Sequence, residues 1–301
     1  MKKIIYLVAF LNVFNIFGCA GTQNVDYPYQ ETSSNEGRYL YDMGVSYLTS
    51  GNNAMAISYL EKAIQTYKNP DVYNSLALAY QFAGEFTKAE IVFKEGLERY
   101  PNSPELLTNY GILLAIQKRY NDALNYLKKA ENHTTYQRKE IVFFNMALIY
   151  KDTGKEDLFL EYMNKAIMYN SNYLNAYTAL GDYYYEKYLD KKDLSYLKFA
   201  REYYAKALTL SLNDPVIYFK LGKVYRDLGQ IDLAKFYLEK ALKSSQENKQ
   251  LQEEIRKTLL DMIENTHSYE KPIEDEYKKQ ETEKSNNYNN SEVENIKILI
   301  K

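Results

Sequence analysis

One cysteine, no tryptophan, two histidines and six prolines in 301 residues each close off a class of protein. With a single thiol, Cys19, no intrachain disulfide can form and no cysteine-built metal site is possible. The histidines, His133 and His267, have no cysteine or second histidine at ligand spacing, so no metal centre is expected. Past residue 17 no apolar run approaches the roughly 20 residues that a membrane-spanning helix needs. Basic excess is missing too: 38 Lys+Arg stand against 40 Asp+Glu, and a net charge of −2 recruits no nucleic acid. Asp152-Thr153-Gly154-Lys155 lacks the upstream glycine of a phosphate-binding loop, and its glycine suits a turn between helices. The pairs Glu253-Glu254 and Asp190 with Asp193 lie among lysines and read as solvated faces. No nucleophile and base cluster together, so neither enzymatic activity nor a cofactor is expected.

What is present is periodic. Gly44, Ala77, Gly111, Ala147, Gly181 and Gly222 each anchor one spacing, with a Tyr or Leu three places later and, apart from two local departures in the fourth and fifth units, an Ala twelve places later. The anchors lie 33, 34, 36, 34 and 41 residues apart, and a period near 34 means one supersecondary unit stacked on copies of itself. Apolar residues recur at three and four places and a Gly or polar turn splits each unit, which predicts two antiparallel helices per unit. The fourth unit has Phe159 where a small residue is expected, which should part its helices locally. In the fifth, seven extra residues fall around Lys187 to Tyr196, lengthening both helices or their turn. The 33 tyrosines imply aromatic packing with one wet or hydrogen-bonded end, as helix seams opening onto grooves provide.

The ends differ from the middle. Met1-Lys2-Lys3 followed by the mainly apolar Ile4 to Phe17 reads as a secretory signal over residues 1–18, too short to span a membrane. Ile16-Phe17-Gly18-Cys19 resembles the lipobox of bacterial lipoproteins, with Phe17 bulkier than that pattern usually has. The resemblance implies lipid attachment at Cys19, anchoring in a bilayer, and loss of Lys2 and Lys3, which takes the side-chain charge from −2 to −4. Several acyl chains hold stably where one would not, at about 0.8 kcal/mol per buried methylene. Ala20 and Gly21 follow in place of the Asp of an inner-membrane retention signal, favouring the outer membrane, facing the periplasm. Residues 19–36 read as a polar tether with a reach of about 23 Å. Residues 37–246 hold the six repeats, 247–266 a capping helix with a Leu251, Ile255, Leu259, Ile263 stripe, and 267–301 a polar tail whose composition predicts disorder.

In the second unit Tyr73, Leu76, Ala77, Tyr80, Gly84, Phe86, Ala89, Phe93, Gly96 and Pro101 fall where the tetratricopeptide repeat has its defining residues, and the chain resembles that family. The resemblance implies an all-α, right-handed superhelical solenoid of six helix pairs with a C-terminal capping helix. It also implies that the first helix of each pair lines a concave surface. There the expected peptide-binding groove consists of Tyr41, Val45, Asn74, Leu78, Phe82, Asn109, Ile112, Ile116, Phe144, Asn145 and Leu148. Its floor is aliphatic and aromatic, with three amides able to pair with an extended or helical backbone. Repeats five and six turn charged, through Asp182, Lys220, Lys223 and Arg226. Tyr41 and Val45 stand where carboxylate-clamp repeats carry Lys and Asn, which argues against that use of the fold.

Lipid anchor, six repeats and cap together resemble the pilotin lipoproteins of type IV pilus assembly, over roughly residues 1–264. The implied partner is a protein or peptide, a secretin subunit, held at the membrane without chemistry. The alternative is a repeat scaffold recruiting envelope or peptidoglycan enzymes.

Overall fold

The computed structural model describes residues 35–246 and 248–264; the expected signal, Cys19, most of the tether and the tail lie outside the described residues. Among the described residues there are thirteen helices and no strand. They are α1 (Asn35–Thr49), α2 (Asn53–Thr66), α3 (Pro70–Phe82), α4 (Phe86–Arg99), α5 (Pro104–Ile116), α6 (Tyr120–Glu131), α7 (Lys139–Asp152), α8 (Glu156–Tyr169), α9 (Leu174–Lys191), α10 (Leu194–Leu210), α11 (Pro215–Asp227), α12 (Ile231–Ser244) and α13 (Lys249–Glu264). Each odd-numbered helix up to α11 packs on the one that follows, giving six pairs, an all-α repeat solenoid. The first helix begins at Asn35, so the last two residues assigned to the tether are helical.

Local chemistry sets the boundaries. Asn69-Pro70, Ser103-Pro104 and Asp214-Pro215 open α3, α5 and α11: the polar side chain accepts a backbone N–H of the first turn, and proline has no N–H to lose there. Between paired helices the chain reverses through a left-handed residue. At Gly84 (φ 79°) the amide donates to Gln81 O at 3.0 Å and Glu85 N donates to Tyr80 O at 2.8 Å. The third repeat makes the same turn with Lys118 at φ 62°, where a side chain is disfavoured.

The recurring small anchor is a packing requirement. A Cβ added at Gly222 would lie 2.7 Å from Leu238, and one at Gly111 would lie 2.9 Å from Leu127, both on the paired helix. Tyrosines fill the seams as expected: Tyr110 packs on Phe93 and Tyr126 while its hydroxyl donates to Glu90 at 3.1 Å.

The seven extra residues of repeat five lengthen both helices, α9 to 18 residues and α10 to 17. Phe159 does not part its pair: it is wholly buried, and α7 and α8 pack as extensively as the other pairs. Leu251, Ile255 and Met262 of α13 join Tyr218, Phe219, Leu238 and Ala241 in one core, with Leu259 packed alongside, so α13 covers the apolar end of the last repeat. The chain divides into two compact units between Tyr169 and Asn170. Four repeats fall in the first; two repeats and α13 fall in the second.

Candidate peptide-binding trough

Within the first unit, the odd-numbered helices carry their core residues on one face and a different set on another. On α3, Val72, Tyr73, Leu76, Ala77 and Tyr80 are sealed, whereas Asn74, Leu78 and Phe82, spaced by four, are half-buried. Tyr41 and Val45 on α1, Asn109, Ile112 and Ile116 on α5, and Phe144, Asn145 and Leu148 on α7 share that half-buried state. Spacings of three and four residues place each set along one side of its helix. None of the eleven is sealed within the core and none stands fully in solvent.

Hydrogen bonds tie these faces together. Asn109 Nδ2 donates to Asn74 Oδ1 at 2.7 Å, joining α5 to α3 and fixing both amides side by side. Asn145 behaves differently: its Nδ2 donates to Ile141 O at 2.7 Å on its own helix. Tyr41 is held at the edge of α3. Burial, with the charge of Asp71 beside it, pushes its hydroxyl up to about 12 against the pull of a hydrogen bond with Ser75. Its ring packs on Tyr67 at 5.9 Å, so it serves as a wall more than as a free contact. Gln81, on the same side of α3, was not among the expected residues. It is 4% exposed and its Oε1 has no partner among the described residues. Its spacing carried no such signal: Gln81 follows its anchor by four places, where the first repeat has the apolar Leu48.

In the second unit the equivalent faces are polar, and their polar groups satisfy one another. Asp182 on α9 takes an ion pair from Lys220 of α11 and accepts the Tyr204 hydroxyl of α10 at 2.6 Å. Asp227 accepts the Tyr185 hydroxyl at 2.6 Å and pairs with Arg226 at 2.7 Å, and Arg226 also lies 3.8 Å from Asp261 of α13. The Lys223 ammonium sits 4.9 Å from the Tyr185 ring centre and 5.2 Å from that of Phe219. Burial, with Lys220 close by, lowers its pKa. Of the four charged residues expected to form a polar end, Asp182 and Lys220 pair with each other, Arg226 pairs with Asp227 and Asp261, and Lys223 lies over aromatic rings.

The described residues contain no group of three or more His, Cys, Asp or Glu arranged to hold a metal, and no helix long and apolar enough to cross a membrane. Tetratricopeptide-repeat profiles match residues 37–70, 142–173 and 215–248, and a second such profile matches 70–113.

The chain is a tetratricopeptide-repeat protein.

The type IV pilus assembly protein PilF of Pseudomonas aeruginosa is 27% identical to it over 225 residues, covering 73% of this chain and 86% of PilF. The solved PilF structure aligns with a TM-score of 0.59 at 23% identity, over 74% of this chain and 97% of that one. PilW, described as a widely conserved type IV pilus biogenesis factor, aligns with a TM-score of 0.60 at 19% identity, over 73% of this chain and 98% of PilW. The human protein O-mannosyl-transferase TMTC1 is 22% identical over 227 residues, but the match spans a quarter of that protein. This repeat protein therefore resembles pilus biogenesis factors along nearly their whole length.

Proposed function

We propose that this protein is an outer-membrane lipoprotein of type IV pilus biogenesis, anchored through acylated Cys19, that holds a segment of a secretin subunit in the trough of its first unit. The observation that carries this reading is coverage: the likeness takes in 86% of PilF and 98% of PilW, so it extends beyond one shared repeat. The half-buried apolar floor supports it, since such a surface rimmed by polar groups suits a peptide segment. The role is adaptation without chemistry. The trough binds, and the acyl chains confine the bound subunit to one leaflet, which raises its effective concentration for ring assembly.

Deleting the gene, or replacing Cys19 by Ala, should leave secretin as monomers or misplaced rings. Normal heat-stable multimers in both strains would contradict the role. Murein hydrolases or synthases captured in place of secretin would point to a scaffold for peptidoglycan enzymes.

A further inference from the structure

The amide of Gln81 is the one buried side-chain polar group among the described residues whose oxygen lacks a hydrogen-bond partner. Leaving a buried carbonyl unpaired destabilises a fold, and native structures do so rarely. A leucine would avoid the penalty. The first repeat shows that the site can take one: Leu48, four places after Gly44 as Gln81 is four places after Ala77, is 1% exposed and part of the core. The position thus accommodates an apolar side chain, and the second repeat keeps an amide there.

Position on the helix suggests why. At 100° per residue Gln81 lies about 20° beyond Asn74, at the edge of the stripe that runs from Asn74 through Leu78 to Phe82, on the side of the buried Ala77. Asn74 is itself joined to Asn109. Three amides on two adjacent helices therefore stand at the floor and its edge, while on α7 the Asn145 Nδ2 is taken by its own helix. A helical ligand would bring few free N–H groups to such a floor, because its own turns use them. An extended segment offers a donor and an acceptor at alternate residues.

We propose that Gln81 pairs with the backbone of an extended segment of the bound protein, its side chain turning about its terminal torsions to bring Oε1 out of its buried seat onto a ligand N–H. This deepens the function above and rests on it. The occupant is an unpaired strand-like stretch, read through amides as well as through its apolar side chains. The orphaned oxygen in the free protein is the cost of keeping that contact available.

The test uses the full-length lipoprotein with Gln81→Leu, and Gln81→Ala as the variant without added bulk, read by thermal unfolding and by co-purification of the secretin from the same cells. Gln81→Leu should raise the midpoint of unfolding by about 2–4 °C, and both variants should retain about a tenth of the secretin. A lowered midpoint for Gln81→Leu would show the oxygen already satisfied, by an ordered water for instance, and would overturn the inference. Equal secretin recovery from variants and wild type would do the same. Failure of the wild-type protein to recover secretin would overturn the function above. Successive prolines in the captured segment should be tolerated except where an N–H meets the floor; loss of binding at every position would reveal a helix and overturn the extended reading.

Discussion

The two units are built from the same helix pair, yet they use the equivalent face in opposite ways. On α9 and α11 nearly every polar group of that face meets another: Asp182 with Lys220 and Tyr204, and Asp227 with Tyr185 and Arg226. On α1, α3, α5 and α7 the same face presents half-buried apolar side chains and amides only partly occupied by one another. A shared repeat thus fixes the scaffold and leaves the face to its variable positions. The second unit uses them for cohesion; the first leaves them half-buried, the face proposed above to take a ligand.

Asp227→Ala should separate the two most sharply. It removes a carboxylate 8% exposed that serves both the Tyr185 hydroxyl and Arg226, leaving a half-buried cation short of a partner. Denaturant unfolding should show a loss of about 3 kcal/mol, and secretin recovery by folded protein should persist. A smaller effect is expected at Glu90 of the first unit. Burial opposes its charge, but hydrogen bonds from Lys94, Arg119 and Tyr110 hold its pKa down to about 2. A carboxylate depressed from 4.5 stabilises fully above that pH, and the contribution disappears as the pH falls toward 2. Glu90→Gln should therefore cost about 1–2 kcal/mol at pH 7, after allowance for solvent screening. It should also flatten the stability profile across that acid window.

Lys118→Gly should change stability in the other direction. It relieves a left-handed lysine at the turn where the second repeat has Gly84, and should add about 0.5–1 kcal/mol, measured by the same unfolding assay. An equally small effect on folding belongs to Asn109→Ala, which breaks the bond to Asn74 on a half-buried face. Stability should fall by about 0.5–1 kcal/mol, while secretin recovery falls several-fold, the reverse of the Asp227 result.

The repeat was legible because its signals are steric and strictly spaced. A small residue at Gly222 is demanded by Leu238 on the paired helix, whatever the function. The extension of α9 and α10 could likewise be read from the spacing of 41 between Gly181 and Gly222. The eleven residues of the candidate trough were chosen for a weaker reason, their offset from each anchor, which gives direction but not bonding. That is why Asn145 was expected as an amide able to pair with a bound backbone when its Nδ2 turns back to Ile141, and why Asp182 and Lys220 read as a polar end of the groove when they pair with each other. Phe159 misled for a related reason: residue volume is visible in a sequence, but the space that neighbours leave for it is not. Gln81 was hidden by chemistry, since an amide at an apolar offset reads as tolerated until its oxygen is found without a partner.

A photocrosslinking amino acid placed singly at Phe82, Phe144, Thr178 and Lys223 of the full-length protein, in cells assembling pili, tests the contrast most directly. The account predicts secretin adducts from Phe82 and Phe144 in the first unit and none from Thr178 and Lys223 in the second. Adducts from the second unit alone, or equally from both, would contradict it.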